Sequence, residues 1–326
     1  MVGKRMDSAL RQISKFIGRF TGRRHQTPGE TDDPVVLPEA SEMPSPMEHT
    51  PPPIPNHQLL SPIGHGAYGE VWLARDEIGA FHAVKLVYKN TFADRAPFER
   101  EYRGILQYTP ISRTHHGLVP ILNVGRVPGA EFFFYVMELA DCVHSGRQIN
   151  PQHYLPRTLA HELDTRFRLP ARECLQLALD LSEALRYLHS RQLIHRDIKP
   201  ANIIFANGLA KLADVGLVTH FAEAKRDPKH LGTEGFTPPE GPGTPWADVY
   251  SLGKVLCEAS MGRTTAPEVV PLPVDEKEQD ELLQINQIFA KACHEELQLR
   301  YQTVDELQQD LMRLNDTFQA TQNRQS

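Results

Sequence analysis

The sequence predicts an α+β fold of two lobes, a small β-rich one followed by a larger helical one. Two observations predict it. Between His57 and about Ala140, five short apolar runs recur with turn residues between them. After residue 170 the apolar residues switch to steps of three and four, in segments at 171–190, 246–262, 279–293 and 303–314.

In chain order, residues 1–24 carry Lys4, Arg5, Arg11, Lys15, Arg19, Arg23 and Arg24 against a single acid, Asp7. Met6, Leu10, Ile13, Ile17 and Phe20 fall on one helical face, so a basic amphipathic helix is expected. Such a helix can lie on an anionic membrane surface; it can equally dock on a partner or on its own domain, or fray. Residues 25–56 hold nine prolines and several acids, with few large apolar groups. They cannot bury enough surface to offset their ordering entropy, so a disordered, extended linker is expected. Pro51–Pro55 reads as a stiff spacer, with a polyproline II ligand as the other option.

The folded domain is expected over 57–315, with 316–326 as a tail. Its strands are placed at Leu59–Ile63, Val71–Arg75, His82–Tyr88, Val119–Gly125 and Phe132–Glu138, with one helix at Ala96–Gln107. Residues 141–168 read as a long connection, either an exposed loop or a contact for substrate or regulator.

Composition excludes several classes. A chain of 326 residues with 40% apolar content can bury a sizeable core, and its net charge of −6 gives no bias toward nucleic acid. Cys142, Cys174, Cys257 and Cys293 form no C-x-x-C pair, so reduced, buried thiols are expected rather than a zinc or disulfide framework. No run of about 18 uncharged apolar residues exists, which excludes a transmembrane helix. The N-terminus lacks the apolar core of a secretory signal, and a cytoplasmic protein, peripheral at the inner face of the membrane if residues 1–24 bind there, is expected.

Chemistry concentrates in His195-Arg196-Asp197-Ile198-Lys199-Pro200-Ala201-Asn202, between the apolar row Leu177, Leu181, Leu185, Leu188 and the strand-like Ile203, Ile204, Phe205. On such a loop Asp197 can accept a hydroxyl proton, Lys199 can meet a phosphoryl group and Asn202 can hold a divalent metal. Upstream, Gly64-His65-Gly66-Ala67-Tyr68-Gly69 sits between two strands, where missing Cβ atoms let the backbone approach phosphates. A following strand, not a helix, argues against a dinucleotide fold. Ala83-Val84-Lys85, Met137-Glu138-Leu139-Ala140, Asp214-Val215-Gly216, Gly232-Thr233…Pro238-Pro239-Glu240 and Trp246-Ala247-Asp248 follow in order.

Together these motifs, over residues 59–312, resemble the eukaryotic-like (Hanks-type) serine/threonine protein kinases, of the kind found in bacteria. The resemblance implies a bilobal kinase-like fold, ATP and Mg2+ as cofactors, and protein substrates. It places Ile63, Gly64, Gly66, Gly69, Val71, Ala83, Met137, Glu138, Ala140 and Ile204 around the nucleotide. Val71 would cover the adenine, and the Glu138 and Ala140 backbone would bond its edge. Lys85 would hold the phosphates, fixed by Glu101 or, as the alternative, Glu99. Asp214 and Asn202 would bind magnesium, Asp197 would be the base, and Lys199 would neutralise the moving phosphoryl. The resemblance also pairs Glu240 with Arg300, has Asp248 brace the catalytic loop, and gives Thr233 to that loop. It leaves Thr219 as a regulatory phosphate acceptor, with Glu223 or Asp227 as permanent charges instead. Valine at 215, where phenylalanine is usual, alters the packing that switches such enzymes. The competing reading is a pseudokinase, a scaffold that keeps the fold without turnover.

Overall fold

The computed structural model describes residues 51–66, 68–214, 218–221, 232–262 and 275–323. The chain divides into two units, Met1–Pro55 and Asn56–Ser326, and the strands and helices named below belong to the second. The basic stripe, nearly all of the linker, Ala67, Val215, Gly216, Glu223 and Asp227 lie outside the described residues.

Strands β1 (His57–Gly66), β2 (Gly69–Asp76) and β3 (Phe81–Tyr88) come first and pair antiparallel in succession. Helix α1 (Arg95–Ser112) follows, then β4 (Ile121–Arg126) and β5 (Phe132–Met137), which complete a five-stranded sheet in the order β1-β2-β3-β5-β4. The central strand β3 buries Ala83 through Val87 without alternation, as a strand covered on both faces should. In α1 the buried positions are Phe98, Glu101, Ile105, Tyr108 and Ser112, one helical face with a carboxylate set into it. The helix runs past its expected end at Gln107 and past Pro110. The Ser112 hydroxyl donates to the Thr109 carbonyl and accepts from the Ile121 amide at 3.0 Å, tying these last residues to β4.

The larger lobe begins with α2 (Leu159–Arg166), capped by the Thr158 hydroxyl on the His161 amide. So residues 141–168 are not simply an exposed loop. Only Leu159 and Leu163 of α2 are buried, too short a stripe to register as a helical period. Helix α3 (Ala171–Ser190) buries Leu177, Leu181, Leu185 and Leu188 and packs against three later helices. Then come β6 (Leu193–Ile194), the hairpin β7 (Ile203–Ala206) and β8 (Leu209–Leu212), and β9 (Thr219–His220), which pairs with β6. Helices α4 (Pro245–Met261), α5 (Glu276–Ala292) and α6 (Val304–Asn323) close the lobe. Thr244 and Asp275 cap α4 and α5 through their side chains.

The tail expected from residue 316 is corrected here: α6 continues to Asn323, because Phe318 is buried beneath the Arg172 guanidinium. All four cysteines are free and buried, and Cys257 and Cys293, distant in sequence, meet with their sulfurs 3.8 Å apart.

Candidate active site

Between the sheet and the helical lobe lies a cleft of about 760 Å³. Five apolar residues singled out in the sequence, Ile63, Val71, Ala83, Met137 and Ile204, line it, and so do Gly64, Gly66, Glu138 and Ala140. Lys85, Asp197, Lys199, Asn202 and Asp214 also line it. Gly69 and Glu101 do not. A Cβ at Gly69 would lie 1.8 Å from the Leu86 carbonyl oxygen, so this glycine serves the close approach of β2 to β3 rather than a ligand. At Gly64 and Gly66 a Cβ would meet nothing nearer than 3.7 Å. The fold itself therefore does not require glycine there, and the loop leaves room over the cleft for a bulky anion.

Asp197 sits in a closed ring of polar contacts. Thr233 donates its hydroxyl to Asp197 Oδ1 at 2.7 Å, and Lys199 Nζ donates to the same hydroxyl at 2.9 Å. Lys199 also lies 2.9 Å from Asp197 Oδ2. Asn202 spends both amide hydrogens on Asp197, one on its carbonyl and one on Oδ2. Among the described residues its amide oxygen has no partner.

The loop that carries this ring is held from below. The Asp248 carboxylate, 1% exposed on α4, accepts from the His195 and Arg196 amides at 2.8 Å each and contacts His189 Nε2 at 2.9 Å. Arg196 (φ +71°) and Asp214 (φ +55°) are non-glycine residues in the left-handed region, a strained geometry that persists only where surroundings enforce it. Farther out, Arg300, whose side chain is inaccessible, pairs with Glu240, anchoring residues 232–240 to the helical lobe.

Lys85 departs from expectation. Its ammonium is hydrogen-bonded and ion-paired to Asp214, while Glu101 Oε1 is buried without a hydrogen-bond partner. Glu99 points to Arg126 instead. The sequence expectation that Glu101 fixes Lys85 is thus corrected: one ammonium faces two carboxyls, and Asp214 takes it. Electrostatics follow. Burial alone would lower Lys85, but Asp214, Tyr135 and Glu101 together raise it above its ordinary range. Burial raises Asp214 too, yet Lys85 more than offsets this and the carboxyl titrates low. Glu101 is pushed up by burial to about 8, with Lys85 only partly opposing.

A proton on Glu101 in the folded state has a linkage consequence. The folded chain binds more protons than the unfolded one between the ordinary glutamate value of 4.5 and about 8. Stability should therefore fall as pH rises through that window. Denaturant titrations at pH 5 and pH 8 should show this decline reduced in Glu101→Gln; an unchanged slope would mean Glu101 is ionised throughout.

A hard cation suits this donor set. Among the described residues no three His, Cys, Asp or Glu side chains converge as a metal site. One carboxylate (Asp214) and one open amide oxygen (Asn202) beside an anion-accommodating loop match magnesium, which keeps waters and phosphate oxygens in its shell.

The connection at 141–168, open in the sequence between an exposed loop and a contact for substrate or regulator, supplies part of the wall. Tyr154, Leu155, Pro156, His161 and Asp164 also line the cleft. They come from residues 141–168, where no periodic signal marks them. Glu138 is tied down by Lys211 at 2.6 Å and Asn207 at 3.0 Å, which fixes the strand-to-loop crossing at the back of the cleft.

A family model described as protein kinase domain matches residues 57–323. The chain is 31% identical over 216 residues to a DNA damage-responsive serine/threonine-protein kinase, RqkA, of Deinococcus radiodurans, covering 63% of this chain and 30% of that protein. It is 26% identical over 284 residues to the serine/threonine-protein kinase PknB of Mycolicibacterium smegmatis, covering 80% of this chain and 43% of that one. The kinase domain of Mycobacterium tuberculosis PknI superposes with a TM-score of 0.55 at 19% identity, over 80% of this chain and 96% of that chain. The chain spans less than half the length of the curated relatives it matches.

Proposed function

Because the chain belongs to the protein kinase domain family, we propose that it transfers the γ-phosphoryl group of ATP to serine or threonine hydroxyls of protein substrates. The observation that carries this reading is the ring of Asp197, Lys199, Thr233 and Asn202 at the cleft. Asp197 orients the substrate hydroxyl and takes its proton late in the transfer. Lys199 sits where its charge opposes that gathering on the moving phosphoryl. Lys85 releases Asp214 to hold the α- and β-phosphates. Asp214 and Asn202 would hold Mg2+, which would supply charge neutralisation for the phosphates. The Glu138 carbonyl and the Ala140 amide recognise the adenine edge, while Val71 and Ala83 cover its face.

The test is phosphate transfer from γ-labelled ATP to a protein acceptor, followed by acid hydrolysis to identify the labelled residue. Phosphoserine or phosphothreonine is expected. ATP binding without transfer would replace this reading with that of a scaffold.

Among the described residues no helix is long and apolar enough to cross a membrane. The basic stripe of residues 1–24 supports a peripheral contact with anionic lipid. Full-length protein should co-sediment with phosphatidylserine vesicles, and the double variant Arg11→Glu, Lys15→Glu should do so less; equal sedimentation ends the idea.

A further inference from the structure

The stretch following β5 folds back over the cleft as a strap. Asp141 begins it, its amide donating to the Phe205 carbonyl and its own carbonyl accepting from the Arg157 amide at 2.8 Å. Val143 donates to the Leu155 carbonyl at 2.9 Å, and Phe205 returns a bond to the Arg157 carbonyl at 2.9 Å. The Arg157 guanidinium stacks on the Phe205 ring at 4.5 Å and pairs with Glu162. The strap is thus sewn to the strand-to-loop crossing on one side and to β7 on the other, and is preorganised before any ligand arrives.

Tyr154 holds the key position in it. Its side chain lines the cleft, and its hydroxyl donates to the Ala140 carbonyl at 3.0 Å. The neighbouring groups are different. Among the described residues neither the Glu138 carbonyl nor the Ala140 amide hydrogen has a hydrogen-bond partner. Along this stretch of the cleft lining, three successive polar groups are therefore an open acceptor, an open donor, and an acceptor already taken. A purine that gives its 6-amino group to Glu138 and accepts at N1 from Ala140 turns its C2 position toward that third group. An adenine has only a C–H there and loses nothing. A purine with a 2-amino group brings a donor to a carbonyl that already accepts from the phenol.

We propose that Tyr154 is a specificity-determining residue of the nucleotide cleft, selecting adenine against purines that carry a 2-amino group by occupying the Ala140 carbonyl. The proposal rests on the nucleotide-binding reading given above and adds to it a residue outside every motif of the sequence.

The experiment is equilibrium binding of ATP and of 2-amino-ATP to the full chain and to Tyr154→Phe. The wild-type chain should bind 2-amino-ATP about fivefold more weakly than ATP, the order expected when one buried donor goes unpaired. In Tyr154→Phe, which keeps the ring and frees the carbonyl, the ratio of the two affinities is the readout. There 2-amino-ATP should become the tighter ligand by about fivefold, the order of one neutral hydrogen bond gained. A wild-type chain that prefers 2-amino-ATP overturns the proposal even if the variant fails to fold. So does a variant whose ratio of the two affinities equals the wild type's. If neither nucleotide binds the wild-type chain, the nucleotide reading itself falls and this inference with it; binding of ATP with an unchanged ratio removes the inference alone.

Discussion

Replacing Asp248 with alanine should lower the free energy of unfolding by about 4 kcal/mol, read as a shift of the urea midpoint at constant slope. Three donors converge on this one carboxylate: the His195 amide, the Arg196 amide and His189 Nε2. The two amides are in the interior, and water cannot replace their lost acceptor without a path to it. A buried donor left unpaired costs about 1–3 kcal/mol, and two backbone donors are orphaned together here. The left-handed geometry at Arg196 (φ +71°) adds to the cost, since that strain persists only while something enforces it. Asp248→Asn should fall between wild type and alanine, because its amide oxygen can serve one donor while its NH2 confronts another. The pair of Glu240 and the buried Arg300 is a useful comparison, because Arg300 also donates to the His294 and Glu295 carbonyls and so keeps partners when Glu240 is removed. A loss below about 1 kcal/mol in Asp248→Ala would mean that the His195–Asn202 loop is held by something other than this carboxylate.

What the sequence made legible depended on locality. Asp197, Lys199 and Asn202 lie within one short loop, so their spacing alone puts them at one place, and the structure brings them together. The buried face of α1 could be read because Phe98, Ile105 and Tyr108 keep helical steps, and Glu101, not Glu99, falls on that face. The choice Lys85 makes between two carboxyls is different in kind. Sequence names both candidates, but which one takes the ammonium depends on the backbone turn at Asp214 and on the desolvation of Glu101. Gly69 shows the converse error: a glycine in a phosphate-loop pattern whose reason is a carbonyl on the neighbouring strand. The strap with Tyr154 was illegible for a third reason. Its contacts run to Ala140, Phe205 and Ile204, residues with no sequence periodicity in common with it, so only the folded chain shows what it covers.

Asp197→Asn should reduce phosphoryl transfer by at least about a thousandfold while leaving nucleotide affinity within about threefold. The substitution keeps the shape and removes the charge, so packing around the loop is spared. Its chemistry fails on two counts. An amide cannot take the proton of an attacking hydroxyl, which a general base supplies at about 10²–10⁴-fold. The ring also breaks: Thr233 donates to one oxygen, while Asn202 and Lys199 sit against the other. Whichever way the new amide turns, its NH2 replaces an acceptor that Thr233, or Asn202 and Lys199, had used, and Lys199 loses the anion that places it. Nucleotide affinity should survive, because Lys85, the glycine loop and the Glu138–Ala140 backbone lie apart from that ring. Thr233→Val separates the two effects, since it leaves the base intact and removes only the hydroxyl between Lys199 and Asp197. Its transfer rate should lie between those of wild type and Asp197→Asn. Single-turnover transfer measured beside equilibrium nucleotide binding would check both. A variant at Asp197 that loses affinity and rate in equal measure would assign this carboxylate to ground-state binding and remove it from the chemical step.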